Sequence, residues 1–345
     1  MNFKGVIITW YGQNKRDLPW RATQNPYYIW LSEIMLQQTR VEQGLPYYLK
    51  FVEKYPSVFD LANASEEEIL KLWQGLGYYS RARNLHETAK KVAFDLNGDF
   101  PNNYKELKKL KGIGDYTASA IASICFNEPE PVVDGNVYRV LARYFGVDTP
   151  INSTEGIKYF KSLAAELLDV KDPGTYNQAI MEFGAKQCKP QSPNCEICNL
   201  QQKCVAFLED RVSELPVKLK KGKLKKRFFN YLVITDDKKT ILQQRVEKDI
   251  WRNLYEFPLI ETSAEINIEE LETNDAFLKI TKGHSYEVSL FNETSKVHKL
   301  SHQHIYTRFW IVTLQSVLEE GISVNKVTNY PVPVLIANFV EDFGF

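Results

Sequence analysis

Apolar residues recurring every three or four positions run through the first 215 residues. They predict helices over Tyr28–Gln38, Glu66–Leu72, Ala82–Leu96, Lys105–Leu110, Tyr116–Phe126, Asn136–Phe145, Thr154–Leu168 and Tyr176–Phe183, often preceded by Asp, Ser or Thr as caps require. After residue 227 the texture changes. Phe228–Thr235 and Thr240–Arg245 are β-like runs flanking a turn over 236–239, and Tyr306–Leu314 is a further β-like stretch. The pattern predicts an all-α domain over 1–215, a linker over 216–227 and a smaller α+β domain over 228–345, with no internal repeat.

The 345 residues suit about two domains. With 44% hydrophobic and 25% charged residues the chain can bury a core, which excludes disordered, collagen-like and disulfide-scaffold classes. No apolar run approaches the roughly 18 residues of a membrane helix, and the N-terminus carries no cleavage-site pattern. The expectation is a cytoplasmic protein without a membrane partner. Lys plus Arg and Asp plus Glu both number 43. That balance argues against a nucleic-acid binder until its distribution is read. Residues 217–227 carry 7 basic and no acidic side chains, between a near-neutral body and an acidic one. The segment is a solvated linker or a strap against phosphates.

Three constellations carry chemistry. Four of the five cysteines fall in Cys188-x6-Cys195-x2-Cys198-x5-Cys204. In a chain without an export signal a shared metal is favoured over disulfides. Zinc and an iron–sulfur cluster both accept four thiolates, although zinc sites usually pair two Cys-x2-Cys knuckles and only one occurs here. Cys125 lies in an apolar run and reads as core. Lys189, Gln191 and Lys203 stand near enough in sequence to touch phosphates. Next, Lys111-Gly112-Ile113-Gly114-Asp115 separates two helical runs. Gly112 and Gly114 permit a tight turn whose amides form an anion site at the second helix, though an ordinary helix–helix turn fits as well. Finally, Glu33 lies in an otherwise apolar helix, where burial favours the protonated acid. Asp134 precedes Gly135 as a helix cap would. Structural roles compete for both: a buried hydrogen bond for Glu33 and capping for Asp134.

Taken with Leu18-Pro19-Trp20-Arg21, Trp30 to Thr39, Trp73 to Leu85 and Val133 to Val140, these motifs resemble the adenine DNA glycosylase (MutY) family of the endonuclease III-like helix–hairpin–helix superfamily. The likeness is dense over about 10–215. It implies a multi-domain protein: an all-α helix–hairpin–helix glycosylase domain (hairpin about 104–126) with a [4Fe-4S] cluster on Cys188, Cys195, Cys198 and Cys204, then an α+β Nudix-like domain. It implies that Glu33 protonates adenine, that Asp134 stabilises the oxocarbenium-like sugar, and that Tyr116 and Asn136 assist. It places Trp20, Arg21 and Gln178 at the base pocket, and Gln38, Tyr78 and Leu76 at the hole left by the extruded base. Gly112 and Gly114 become the phosphate grip. The stretch 297–304 resembles the family's 8-oxoguanine loop, giving Leu300, Ser301 and His302 that role, with Leu300 where many members have phenylalanine. His298, His302 and His304 could otherwise hold zinc or form a plain polar strand.

The expected partner is double-stranded DNA bearing adenine opposite 8-oxoguanine or guanine, bound by a monomer. Bifunctional relatives carry a lysine at the Tyr116 position, so no efficient strand cleavage is expected. The stretch after Pro258 lacks the Nudix box and reads as a sensor. The rivals are an endonuclease III-like glycosylase-lyase for oxidised pyrimidines and a non-catalytic iron–sulfur DNA-binding module.

Overall fold

The computed structural model describes residues 2–220 and 224–345. It divides into two compact units, Met1–Asn63 with Asn84–Lys221, and Ala64–Arg83 with Gly222–Phe345. Helices follow one another as α1 Phe3–Asn14, α2 Pro26–Met35, α3 Val41–Lys54, α4 Val58–Asn63, α5 Glu66–Leu72, α6 Ser80–Lys90, α7 Tyr104–Leu107, α8 Asp115–Phe126, α9 Gly135–Phe145, α10 Thr154–Leu167, α11 Pro173–Lys186 and α12 Val205–Leu208. All but α5 and the start of α6 belong to the first unit. None is long and apolar enough to cross a membrane.

In the first unit α8 packs against α2 and α11, and α11 packs in turn on α1 and α9. Each helix that bears a candidate residue has a local reason to start where it does. Asn25 caps α2 by accepting from the Tyr27 amide, and Pro26 supplies a first-turn residue that needs no donor. Eight of the ten α2 residues are buried, so Glu33 rides on a helix without a solvent face. Asp134 caps α9 through the amides of Asn136 and Val137. Between α7 and α8, Gly112 adopts φ +77°, where a Cβ would lie 2.8 Å from that of Asn84. Gly114 is different: it is extended at φ −90° and open on the side a Cβ would occupy. Only the first of the two glycines is therefore demanded by the backbone.

The second unit holds strands β1 Lys225–Thr235, β2 Lys239–Thr240, β3 Gln243–Gln244, β4 Tyr255–Glu256, β5 Leu259–Thr262, β6 Tyr286–Leu290, β7 Lys296–Lys299, β8 Gln303–Leu314 and β9 Ile322–Ser323, with helices α13 Ile268–Glu272, α14 Asp275–Thr281 and α15 Val334–Phe343. The main sheet runs β6-β8-β1-β2-β9, with β5 on β1 and β7 on β8. Its centre is the parallel β1–β8 pair, and β1 is buried almost throughout, as a strand covered on both faces should be. One face meets Leu271 and Phe277, and on the other Phe339 of α15 stacks on Phe309 at 4.1 Å.

Two features differ from the sequence reading. The basic stretch expected as a linker over 216–227 lies partly outside the described residues (221–223), and β1 already begins at Lys225. Its Arg227 is buried and paired with Asp249 and Glu261. In addition, Ala64–Arg83, expected within a 1–215 domain, clusters with the C-terminal residues. Lys71 donates to the carbonyls of Thr328 and Tyr330, Gln74 accepts from the Val332 amide, and Arg83 donates to the Arg252 carbonyl. Helical periodicity marks α5 as a helix but says nothing of which body it joins.

Asn177 on α11 sets the approach to Asp134. Its amide donates to the Ser123 hydroxyl and the Glu130 carbonyl, and its oxygen accepts from the Val132 amide at 3.1 Å. Asn177→Ala strands those buried partners, which predicts a loss of about 2–4 kcal/mol of stability in chemical denaturation. A change below about 1 kcal/mol would show that the segment is held by other means.

Candidate active site

One open cleft in the first unit gathers residues from five stretches of chain. Trp20 and Arg21, Glu33, Tyr116, Asp134 and Asn136, and Gln178, Met181 and Glu182 all line it. Its accessible space is about 830 Å³, within the roughly 300–1,000 Å³ of small-molecule sites.

Glu33 and Asp134 meet this cleft in different surroundings. Burial pushes the Glu33 carboxyl up to about 7, and Asp134 adds to the rise, while the Tyr116 hydrogen bond and Arg21 oppose it. Glu33 is only 8% exposed. Asp134 is half-buried. Its Oδ1 accepts from the amides of Asn136 (2.9 Å) and Val137 (2.8 Å), and its Oδ2 from the Asn136 side chain at 2.7 Å. Burial raises this carboxyl as well, and those donors restrain the rise. Capping and chemistry are thus compatible uses of one aspartate. The Tyr116 hydroxyl is bonded to Glu33 and lies 3.5 Å from the Met181 sulfur. Burial holds it well above its usual range, so it stays a neutral donor.

Beside this pair stands a glutamate that the sequence reading passed over. Glu182 is 1% exposed and takes hydrogen bonds from the Arg16 amide and guanidinium and from Arg21 Nη2 at 2.7 Å. Burial would raise its carboxyl, but the two arginines outweigh burial and hold it at about 2. Arg21 also donates to the Arg16 carbonyl and lies over the Tyr11 ring. Trp20 is buried edge-on against Tyr48, and Gln178 accepts from the Tyr11 hydroxyl at 2.8 Å. Two further residues were missed. Arg139 ties Asn136 to the carbonyls of Cys188 and Gly184. A Cβ on Gly184 would lie 2.7 Å from that of Asn136, so α11 must present a glycine where α9 begins. A glycine near the end of the α11 run was the available signal.

The four spaced cysteines line a separate small cavity with Arg143, Phe183 and Leu200. All four thiols are free of disulfides. Arg143, 3% exposed, reaches the carbonyls of Lys189, Pro190 and Leu215 and the Cys188 sulfur. Among the described residues no three Cys, His, Asp or Glu gather tightly enough for a single metal ion. Lys189 and Gln191 line the main cleft; Lys203 does not. Cys125 is half-buried on α8, with its thiol pushed up to about 12 by burial.

The remaining candidates lie elsewhere. Gln38 is exposed just past α2 at φ +55°, and Tyr78, 47% exposed in the second unit, has φ +49°. Such conformations cost non-glycine residues of order 1–3 kcal/mol and cluster at functional sites. Leu76, two residues before Tyr78, is buried. Gly112 and Gly114 form the α7–α8 turn, whose first helical residue Asp115 is bonded by Lys108 and the Tyr104 hydroxyl. Leu300, Ser301 and His302 form the β7–β8 turn, closed by the Leu300 amide to the Gln303 carbonyl, with Ser301 and His302 exposed. His298 packs on Trp251 instead of meeting the other histidines. The glutamates after Pro258 are engaged: Glu261 with Arg227, Glu265 with Arg308, Glu270 in a cap with Asn267.

Residues 31–166 match the HhH-GPD superfamily of base excision DNA repair proteins, and 230–342 match a NUDIX domain. Over 90% of its length the chain is 36% identical to the adenine DNA glycosylase of Buchnera aphidicola subsp. Baizongia pistaciae, covering 86% of that protein. The human adenine DNA glycosylase is 46% identical over 59% of this chain and 39% of its own length. Among solved structures, a thermostable thymine-DNA glycosylase superposes with TM-score 0.56 at 33% identity, over 60% of this chain and 95% of that one. An endonuclease III–DNA complex, at TM-score 0.52 and 23% identity over 60% of this chain and 94% of its own, shares the fold. By extent and identity, this chain belongs to the adenine DNA glycosylase family.

Proposed function

We propose that the chain hydrolyses the N-glycosidic bond of adenine mispaired with 8-oxoguanine or guanine, as a base excision repair glycosylase. One observation carries the reading: a carboxyl that keeps its proton near neutrality and a second, amide-bound carboxyl line the same cleft. An adenine cannot be reached inside a duplex, so it is extruded into the cleft. Glu33 gives its proton to the ring at N7, which lets the base leave neutral, and then accepts a proton from the attacking water. Positive charge develops on the sugar, and Asp134 faces it with amide donors that fix the carboxylate. The Tyr116 hydroxyl orients the Glu33 carboxyl. Tyr116 offers no amine for a Schiff base, which disfavours the lyase alternative.

Cys188, Cys195, Cys198 and Cys204 would hold a [4Fe-4S] cluster. The lining of one cavity by all four thiols, with a single Cys-x2-Cys pair among them, supports this reading. Such a cluster supplies a structural crosslink for the loop 188–204. The Gly112–Gly114 turn would hold a backbone phosphate, Gln38 and Tyr78 would fill the gap in the duplex, and Ser301 and His302 would read the base opposite adenine.

Glu33→Gln should cut single-turnover adenine release roughly 10²–10⁴-fold with DNA binding retained, and Asp134→Asn should be similarly impaired; near-normal excision by either overturns the assignment. Wild-type excision should fall as pH rises through about 7, where Glu33 gives up its proton. The same group makes a stability prediction. Its folded pKa exceeds the unfolded one, so the unfolded chain binds fewer protons between about 4.5 and about 7 and stability declines across that window. Glu33→Gln should flatten that decline, on the order of 3 kcal/mol.

The sensor role is tested at the loop itself, because removing 228–345 would also strip the partners of Ala64–Arg83. A Ser301→Ala, His302→Ala double variant should reduce the preference for 8-oxoguanine over guanine opposite adenine by about tenfold, the worth of one or two hydrogen bonds. An unchanged ratio removes these residues from recognition.

A further inference from the structure

A second cavity of about 370 Å³ opens in the first unit and shares Arg21, Ile124 and Gln178 with the main cleft. These three side chains form a partition with a space on each side. The far space is not an extension of the reacting groups, since Glu33, Tyr116 and Asp134 line only the cleft. Thr23, Gln24 and Asn127 offer neutral donors and acceptors there, and Tyr11 an aromatic ring. Its one carboxylate, Asp172, is bonded to the Thr175 amide as a helix cap. Lys15 and Arg21 line the space as well, both lying over the Tyr11 ring, and the set suits a planar molecule with several hydrogen-bonding groups.

The members of the partition are held unequally. Arg21 is clamped by the Glu182 carboxylate and the Arg16 carbonyl. Ile124 is buried on α8, a helix packed on both α2 and α11. Gln178 is partly exposed, and its oxygen is held by the neutral hydroxyl of Tyr11. A neutral hydrogen bond exchanges far more readily than a buried bond between charged groups. Gln178 is therefore the side chain that can swing.

We propose that the second cavity is an exit and holding site for the free purine base, gated by Gln178. The inference rests on the adenine excision proposed above. After bond cleavage the abasic strand still lies across the mouth by which the base entered, so the base needs another way out. Swinging Gln178 aside joins the two spaces and lets the base pass into the second cavity, which opens to solvent. Keeping the base away from the sugar cation also disfavours re-formation of the bond.

The test uses the whole protein bound to a duplex with a tetrahydrofuran abasic analogue opposite 8-oxoguanine, and 2-aminopurine as the fluorescent probe. Gly12 lines the second cavity, and a Cβ placed on it would meet nothing within 4 Å, so Gly12→Trp should plug the space. Thr175→Trp plugs it from another helix should the first variant fold poorly. Stopped-flow fluorescence should show at least tenfold slower probe association and dissociation in the plugged DNA complexes, less than a twofold change in the DNA-free protein, and unchanged single-turnover excision. Exchange at the wild-type rate in the plugged complexes, no probe binding to the wild-type complex, or slowed bond cleavage would each overturn the exit. A wild-type chain that releases no adenine from an adenine–8-oxoguanine duplex would instead sink the glycosylase reading, whatever the plugs do.

Discussion

A carboxyl group removed from water keeps its proton unless a cation or a set of hydrogen-bond donors is placed against it, and the catalytic unit is organised around that rule. Its cleft holds two deeply buried glutamates with opposite outcomes. Glu182 has Arg16 and Arg21 in direct contact and is held at about 2; Glu33 has a neutral phenol and a second acid for neighbours and rises to about 7. Burial alone does not make an acid catalyst. What decides is that both guanidiniums are spent on Glu182, which leaves Arg21 close enough to Glu33 to be felt but not to bond it.

The second carboxyl depends on a longer chain of support. Asp134 is fixed by the first amides of α9, Asn136 by Arg139, and Arg139 by the carbonyls of Cys188 and Gly184. The cysteine loop and the cleft thus share one side chain. One turn further along α9, Arg143 binds three more carbonyls of the loop and its flank. The fold of the cysteine loop can thus matter to the cleft, because unfolding it would release Arg139 and with it Asn136.

Much of this was legible in the residues. Helices such as Glu66–Leu72 and Asn136–Phe145 carry strong periodicity and clear caps, and their structural counterparts agree within a residue or so. Glu33 was visible as one charge in an apolar run, and the cysteines through their spacing. Other features left little local trace. The helices Phe3–Asn14 and Val41–Lys54 went unread, the first because its apolar residues form a short patch and the second because Pro46 sits inside it. Glu182 looked like any helix glutamate, since its partners lie more than 160 positions away. Arg227 was counted into a basic strap, although it neutralises Asp249 and Glu261 beside the sheet. The membership of Ala64–Arg83 depends on hydrogen bonds to loops some 250 residues on. Pattern reports how a segment folds locally; which distant charge meets it is written only in three dimensions.

The most direct test of the central claim is the ionisation of Glu33 itself, followed by ¹³C NMR of the glutamate side-chain carboxyls in the free protein, with Glu33→Gln identifying the resonance. A titration midpoint near 7 is the result the buried-acid account predicts. A midpoint in the ordinary glutamate range, near about 4.3, would mean that the group is ionised at neutral pH and cannot be the proton donor.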